Sequence, residues 1–445
     1  MMKTAFIIDH QTLEDLNIPG KYRPQSLFGI CNQVRTGGGE RLLMDIFANP
    51  LTDCNEINER SAIFEYFTQK GLSFPGNGKQ WIVVENYLSF KAPASALSTR
   101  LLILRSKISR SLVRGVQYTH LVEGITATIT ALRAVEALLD QLRDIPRPDL
   151  IAPLKQVLQT GEWKRIREYD ASSLDSISAI ALCHHFFCYA QRDALQQLLQ
   201  SIYWIDVYMA IGNLAARKGW NYANAIASDK AHCQIVDLVH PAVARCVANS
   251  VSFNDRKNLL FLTGANMAGK STFMKSVGLA IFMAHLGFPV PAASMQFSVR
   301  GGLFTSINVS DDLSQGYSHF YAEVLRVKNV AEQVGNGLGL FVIFDELFKG
   351  TNVKDAYDAT RSVTEAFGKY ANSLFIISSH ILEVADNLRE NNKGNITFAF
   401  MPTIIRNKLP YYTYKMTEGI TEDRQGMMII EREGILSLLE TRKKT

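Results

Sequence analysis

Along the first half of the chain, apolar residues recur at intervals of three and four. Leu195, Leu198, Leu199, Ile202 and Met209 mark one face of a helix in this way. β-Branched runs are few, so residues 1–230 read as a helical region, broken around Trp81–Phe90 and at Pro146–Pro153. Near residue 230 the pattern changes. Short β-rich runs at Leu259–Thr263, Leu338–Phe344 and Leu374–Ser378 alternate with helical patterns, the first of which begins at Lys270. That alternation predicts an α/β domain with a mainly parallel sheet over 231–420. Residues 421–445 read as a tail of two short helices parted near Gly434 and ending in Arg442-Lys443-Lys444.

Composition narrows the class without naming a function. A chain of 445 residues has room for two or three cores, and 47% hydrophobic with 20% charged residues excludes wholesale disorder. The net charge of +5 is compatible with a polyanionic partner but does not demonstrate one. The opening MMKTAFIIDHQTLEDL reaches acids after a short apolar run, unlike a signal peptide or anchor. Apolar stretches such as Leu279–Leu286 fall well short of the roughly 20 residues that span a bilayer, so no membrane association and a cytoplasmic location are expected. Six scattered cysteines do not form a disulfide framework. The cluster Cys183-His184-His185-Phe186-Phe187-Cys188 lies in an apolar, helix-like run without a second ligand pair, and reads as core helix rather than metal site.

The strongest chemical signal is the run Gly264, Ala265, Asn266, Met267, Ala268, Gly269, Lys270, Ser271, Thr272. It fits G-x-x-x-x-G-K-[ST], follows the apolar run Leu259–Leu262 and opens an amphipathic helix. Glycines let successive N–H groups face phosphate oxygens at a helix amino terminus. Lys270 would reach the β- and γ-phosphates of ATP, and the Ser271 hydroxyl would ligate Mg²⁺. Downstream, the apolar strand Leu340–Phe344 ends in Asp345-Glu346. Paired acids at a buried strand end are costly unless they hold a cation or handle a proton. Asp345 suits the Mg²⁺ shell and Glu346 the general base, against the plainer reading of two solvated acids. His380 follows Leu374–Ser379 at another strand end. A lone histidine is more often a satisfied core residue; beside the two acids, a γ-phosphate contact is the better reading.

These residues resemble the MutS family of DNA mismatch-repair ATPases, which are of the ABC type. Thr263–Thr272 is similar to that family's phosphate loop, including the Asn266-Met267 pair that general ABC loops lack. Leu286-Gly-Phe-Pro-Val-Pro-Ala292, Asp311-Asp312-Leu313-Ser314-Gln315-Gly316-Tyr317-Ser318-His319-Phe320, Asp345-Glu346 with Gly350-Thr351, and Ser378-Ser379-His380 follow at the family's spacing. Ile8–Ile18, Ser26–Asn32, Gly37–Leu43, Asn49-Pro50 and Ile57–Arg60 resemble the start of the MutS core, and Trp204–Ala210 the end of its long lever helix. The resemblance implies an α-helical core and lever region followed by an α/β ABC-type P-loop NTPase domain that binds ATP and Mg²⁺ and hydrolyses ATP. It also implies a homodimer with composite sites, in which Ser314, Gly316 and Ser318 of the signature act in trans.

Departures from the family set further expectations. The core-like motif begins at residue 8, so a short form without the mismatch-reading and connector domains is expected. Phe-x-Glu occurs only as Phe344-Asp345-Glu346, and no Smr-type nuclease is read in the tail. Cys246 stands where an adenine-stacking aromatic is usual, with Phe253 nearby as the candidate replacement. His319 stands where a threonine is usual, and Ser306 where the family has a basic residue.

Between Asn86 and Val122 there are six basic residues and no acidic one. On a helix, Arg100, Lys107, Arg110 and Arg114 fall within about 80° of arc, a stripe that could track DNA phosphates or be the solvated face of a bundle helix. DNA binding therefore rests mostly on the resemblance, through phosphate contacts and duplex shape, with little preference for a mispair. The expected function is ATP-driven conformational switching on DNA in mismatch repair or related recombination. The rival readings are an ABC-type ATPase with a non-DNA partner and a nucleotide-gated interaction scaffold.

Overall fold

The computed structural model describes residues 5–20, 23–90, 98–101, 103–104, 116–170, 174, 176–228, 230–307, 319–391, 394–406 and 409–421. The chain forms two compact units: residues 1–30, 49–59 and 219–445 make one, and residues 31–48 and 60–218 the other. These bounds cross the division read at residue 230, because both amino-terminal segments pack with the α/β half of the chain. The tail helices read in 421–445 lie outside the described residues beyond Thr421.

The α/β unit is organised by a seven-stranded sheet. Its spatial order is Ile7–Ile8, Gly302–Ser306, Leu340–Phe344, Leu374–Ser378, Leu259–Gly264, Ile396–Met401 and Thr417–Glu418. Every neighbouring pair is parallel except the last. Leu259–Gly264, Leu340–Phe344 and Leu374–Ser378 are buried at every position, which is why they are continuous apolar runs rather than alternating ones. On one face, Phe261, Val342, Phe344 and Phe375 pack with Val330, Phe367 and Val384 of the helices His319–Gly335, Val353–Phe367 and Leu382–Asn391. The helix Lys270–His285 packs on strand Leu340–Phe344 through Gly278, where a Cβ would come within 3.3 Å of the Ile343 side chain and 2.9 Å of Leu16. A four-stranded sheet formed by Asn224–Ile226, Ser294–Ser298, Cys233–Leu238 and Asn249–Phe253 completes the unit.

The first 230 residues are thus not all helical. Ile7–Ile8 joins the large sheet, and Asn221–Tyr222 and Asn224–Ile226 pair with Pro289–Val290 and Ser294–Ser298. Such short strands borrow their order from a neighbouring strand and leave little periodicity to read.

In the other unit the described elements are helices. The longest, Arg192–Lys218, has 27 residues and buries Leu195, Leu198, Ile202 and Met209, as the spacing predicts. Trp81–Phe90, read as an interruption, is mostly helical: Gly78–Leu88 buries Trp81, Val84, Tyr87 and Leu88, and this packing outweighs the low helix propensity of Ile82-Val83-Val84. Pro146–Pro153 does break the pattern, with a 3₁₀ turn at Pro148–Leu150 before helix Ala152–Leu158. The Gly37-Gly38-Gly39 run opens helix Gly37–Ala48 against the long helix. A Cβ at Gly38 would lie 2.2 Å from the Tyr203 ring, so only glycine permits the approach. Buried Asp206 accepts from the amides of Arg35 and Thr36 and from the Thr36 hydroxyl; burial still raises its carboxyl to about 6. Cys183, His184 and Cys188 are core residues of Ile177–Ala190, and His184 Nδ1 lies 3.0 Å from the Tyr87 hydroxyl.

Candidate nucleotide site

Four strands end at one edge of the large sheet, and the candidate residues sit there. Leu259–Gly264 feeds a loop that leads into helix Lys270–His285. Its sharp path needs left-handed backbone at Gly264 (φ 136°), Met267 (φ 68°) and Gly269 (φ 104°). At Gly264 a Cβ would lie 3.0 Å from the Met401 carbonyl, so the first glycine is required by space as well as by φ. Ala268 is buried, whereas Asn266 and Met267 are exposed, the methionine at 77%.

Lys270 is almost fully buried, and its Nζ donates to the carbonyls of Gly264 (2.8 Å) and Ala265 (3.2 Å), closing the loop on itself. Burial lowers the lysine below its usual range, opposed by the carboxylates of Glu346 and then Asp345. Ser271 and Thr272 are exposed on the first turn of the helix. The Ser271 hydroxyl donates to Asp345 Oδ2 at 2.5 Å, and the Ser378 hydroxyl donates to Asp345 Oδ1 at 2.5 Å. Ser378 Oγ also accepts from the Glu346 amide at 3.0 Å, while the Asp345 amide donates to the Ser306 carbonyl at 2.9 Å.

Glu346 itself sits at φ 54° and Phe348 at φ 61°. Left-handed backbone in a non-glycine residue costs about 1–3 kcal/mol and persists only where surrounding contacts fix it. Ser378, Ser306 and buried Glu323, which accepts from the Phe348 amide at 2.8 Å, supply those contacts. In the sequence Ser378 stands only within Ser378-Ser379-His380, and Glu323 belongs to no motif that announces this contact.

A cavity of about 630 Å³ opens beside the loop. Its lining includes Gly269, Lys270, Ser271, Thr272 and Glu346 together with Leu238, Val243, Cys246, Val247, Asn249 and Tyr414. Phe253 does not serve as the aromatic wall: it is 1% exposed, with its ring edge-on to Phe341 at 5.6 Å. Two rings line the cavity, buried Phe273 of helix Lys270–His285 and the more exposed Tyr414. A Cβ on Gly269 would lie 3.1 Å from Tyr414 Cδ1, and the Asn249 side chain donates to the Tyr414 carbonyl at 2.9 Å. Asn249 Oδ1 also accepts from Met416 N at 2.7 Å, so one buried amide holds both Tyr414 and Met416. Cys246 is half-buried there, its sulfur accepting from the His240 amide at 3.3 Å.

His380 is exposed just beyond strand Leu374–Ser378 and does not line the cavity. Ser314, Gly316 and Ser318 lie outside the described residues, as do Lys107, Arg110 and Arg114; Arg100 is exposed. Among the described residues no group of three or more histidine, cysteine or acidic side chains forms a metal cluster, and no helix is long and apolar enough to cross a membrane.

Two family models divide the chain between them. The model for MutS domain III matches residues 11–227, and that for MutS domain V matches residues 260–441. Similar curated proteins include the DNA mismatch repair protein MutS of Streptococcus thermophilus (strain ATCC BAA-491 / LMD-9), 27% identical over 259 residues, which are 57% of this chain and 30% of that protein. The DNA mismatch repair protein MutS of Geobacillus sp. (strain WCH70) is 27% identical over 257 residues, 56% of this chain and 29% of its own length. A helical MutS domain III joined to a mixed α/β MutS domain V defines the class of this protein. The chain belongs to the MutS family.

Proposed function

We propose that this protein binds ATP in the cavity beside Gly264–Ser271, hydrolyses it, and uses the cycle to switch conformation on DNA. The observation that carries the reading is the convergence of loop, Lys270, Ser271, Asp345 and Glu346 at one sheet edge. Lys270, already folded against the loop carbonyls, is the cation for the β- and γ-phosphates. Ser271 and Asp345 would hold Mg²⁺: their oxygens already share one short hydrogen bond, and a hydroxyl with a carboxylate is a donor set suited to this hard cation. When bound, the metal neutralises charge on the β- and γ-phosphate oxygens.

Glu346 is the general base. It takes the proton of a water whose oxygen bonds to the γ-phosphorus, while the bond to the β–γ bridging oxygen breaks and ADP leaves with that electron pair. His380 contacts the γ-phosphate in this reading. Tyr414 takes the stacking role on the base that Cys246 cannot fill. Ser314, Gly316 and Ser318 complete the site of a second subunit in a homodimer, and an ABC-type P-loop fold is the architecture this implies.

Arg100, Lys107, Arg110 and Arg114 are the proposed phosphate contacts to DNA, with residues 1–230 as core and lever and 231–420 as ATPase. The names of the relatives place them in DNA mismatch repair, and that process or a related recombination is the proposed setting. The test is phosphate release measured alone and with homoduplex, mismatched and branched DNA, alongside DNA titrations at several salt concentrations. Turnover stimulated by DNA, with affinity falling steeply in salt, supports the reading. Turnover indifferent to every DNA favours a non-DNA partner, and nucleotide binding without turnover favours the scaffold.

A further inference from the structure

The amino-terminal residues 6–16 form a strap on the α/β unit, and they do more than add an edge strand. Ile7 and Ile8 pair with Gly302 and Leu303, but beyond Ile8 the chain turns away into the short helix His10–Asp15. The outward-facing polar groups of Thr305 and Ile307 therefore have no strand opposite them. Strap side chains take that place. The Thr305 amide donates to Thr12 Oγ1 at 3.0 Å, and the Ile307 amide donates to Asp15 Oδ2 at 2.9 Å. The Thr305 hydroxyl donates to the same carboxylate oxygen at 2.8 Å. The Thr305 carbonyl accepts from Arg326 Nη2 at 2.8 Å, and that guanidinium is itself bound by Asp9 and by Thr12. Thr12, Asp15 and Thr305 are buried, so each lost contact would strand a polar group away from water.

The residue bracketed by these contacts is Ser306. Its carbonyl faces the opposite way, toward strand Leu340–Phe344, and receives the Asp345 amide. The strap thus fixes, on one side, the strand end that seats the two site carboxylates on the other. Glu346 follows at once in left-handed backbone, a conformation that needs rigid support. The loop carrying Lys270 springs from Leu259–Gly264, with two strands between it and Gly302–Ser306.

We infer that the amino-terminal strap is a positioning element for ATP hydrolysis: Thr12, Asp15 and Arg326 hold Thr305–Ile307 so that Ser306 seats Asp345 and Glu346 for turnover. The inference rests on the proposed ATPase reading and deepens it. It separates turnover from nucleotide binding, because the strap supports the carboxylate strand and not the phosphate loop.

The test compares Asp15→Asn, Thr12→Val and Arg326→Lys with the parent. Glu14→Gln is the control, exposed on the same short helix and paired with Arg23 at the surface. Asp15→Asn should lower kcat at least tenfold with the Kd for ADP within twofold. Native-state hydrogen exchange at the Asp345 amide should quicken at least tenfold while helix Lys270–His285 keeps its protection. Should Asp15→Asn fail to fold, Thr12→Val and Arg326→Lys carry the same two readouts. Parent-like kcat in the folded variants overturns the inference, as does a kcat loss matched by lost ADP affinity or by exchange quickening everywhere. A parent with no turnover overturns the ATPase reading and the inference with it, whereas an active parent with unaffected strap variants overturns the inference alone.

Discussion

Replacing Tyr414 by alanine removes the exposed one of the two aromatic rings lining the cavity, leaves buried Phe273 in place and touches neither Lys270 nor Ser271. Tyr414 is 47% exposed, sits over Gly269 and is held by the hydrogen bond from Asn249 to its carbonyl, a backbone contact the substitution retains. Stacking a base on an aromatic side chain contributes about 1–3 kcal/mol by alanine substitution. Phe273, the other ring in the lining, is buried, so the base gains one exposed ring face and not two. The lower half of the range applies, about 1.4 kcal/mol, which is roughly tenfold in Kd. Calorimetric titration with ADP should show this loss in Tyr414→Ala, and Tyr414→Phe should stay near the parent. Tripolyphosphate, which has no base, should bind parent and variant alike. An ADP affinity within twofold of the parent, or an equal loss for tripolyphosphate, would refute the assignment of this wall to the base.

Two further outcomes follow from the same geometry. Lys270→Ala should weaken ATP binding by roughly a hundredfold, about 2.7 kcal/mol, since it removes the buried cation from the phosphate end; equilibrium titration checks this, and unchanged affinity would count against the loop assignment. His285 is fully buried, with Nδ1 donating to the Leu51 carbonyl at 2.7 Å, and burial pulls its pKa down to about 4. Because the folded value lies below the unfolded one of about 6.5, this contribution is fully present above pH 6.5 and lost as pH falls through 4, about 3 kcal/mol in all. His285→Asn keeps a donor near Nδ1 without the titration. Urea unfolding should therefore show the parent losing about 3 kcal/mol more than the variant between pH 7 and pH 4, and parallel losses would contradict the argument.

What was legible in the sequence follows from local rules, and what was not depends on tertiary neighbours. Leu259–Gly264 and Leu340–Phe344 could be read because strands buried on both faces must be apolar throughout. The spacing of Gly264, Gly269 and Lys270 encodes a loop whose left-handed glycines the structure shows at φ 136° and 104°. Tyr414 carried no such signal. It reaches the cavity because strand Ile396–Met401 lies beside Leu259–Gly264 and because Asn249 holds the turn that follows, and nothing around Tyr414 itself announces either neighbour. Phe253 was the reasonable guess from nearness in sequence, but alternation along Asn249–Phe253 places its side chain in the core. The contacts that Ser378 and Ser306 make to Asp345 and Glu346 carry no sequence signal for the same reason, since they exist only where strand ends meet. Helix Gly78–Leu88 was obscured by Ile82-Val83-Val84, which favour strands until Trp81 and Tyr87 are seen packed on one helical face.

The most direct test of the central claim is phosphate release by the parent and by Glu346→Gln, with ATP and Mg²⁺ in excess and nucleotide binding measured in parallel. The amide can hold a water but cannot take its proton. The account predicts turnover in the parent, a loss of at least about a hundredfold in the variant, and ATP still bound by the variant with subunits held in pairs. A variant that hydrolyses ATP at the parent rate, or a parent that binds ATP and never turns it over, would contradict it.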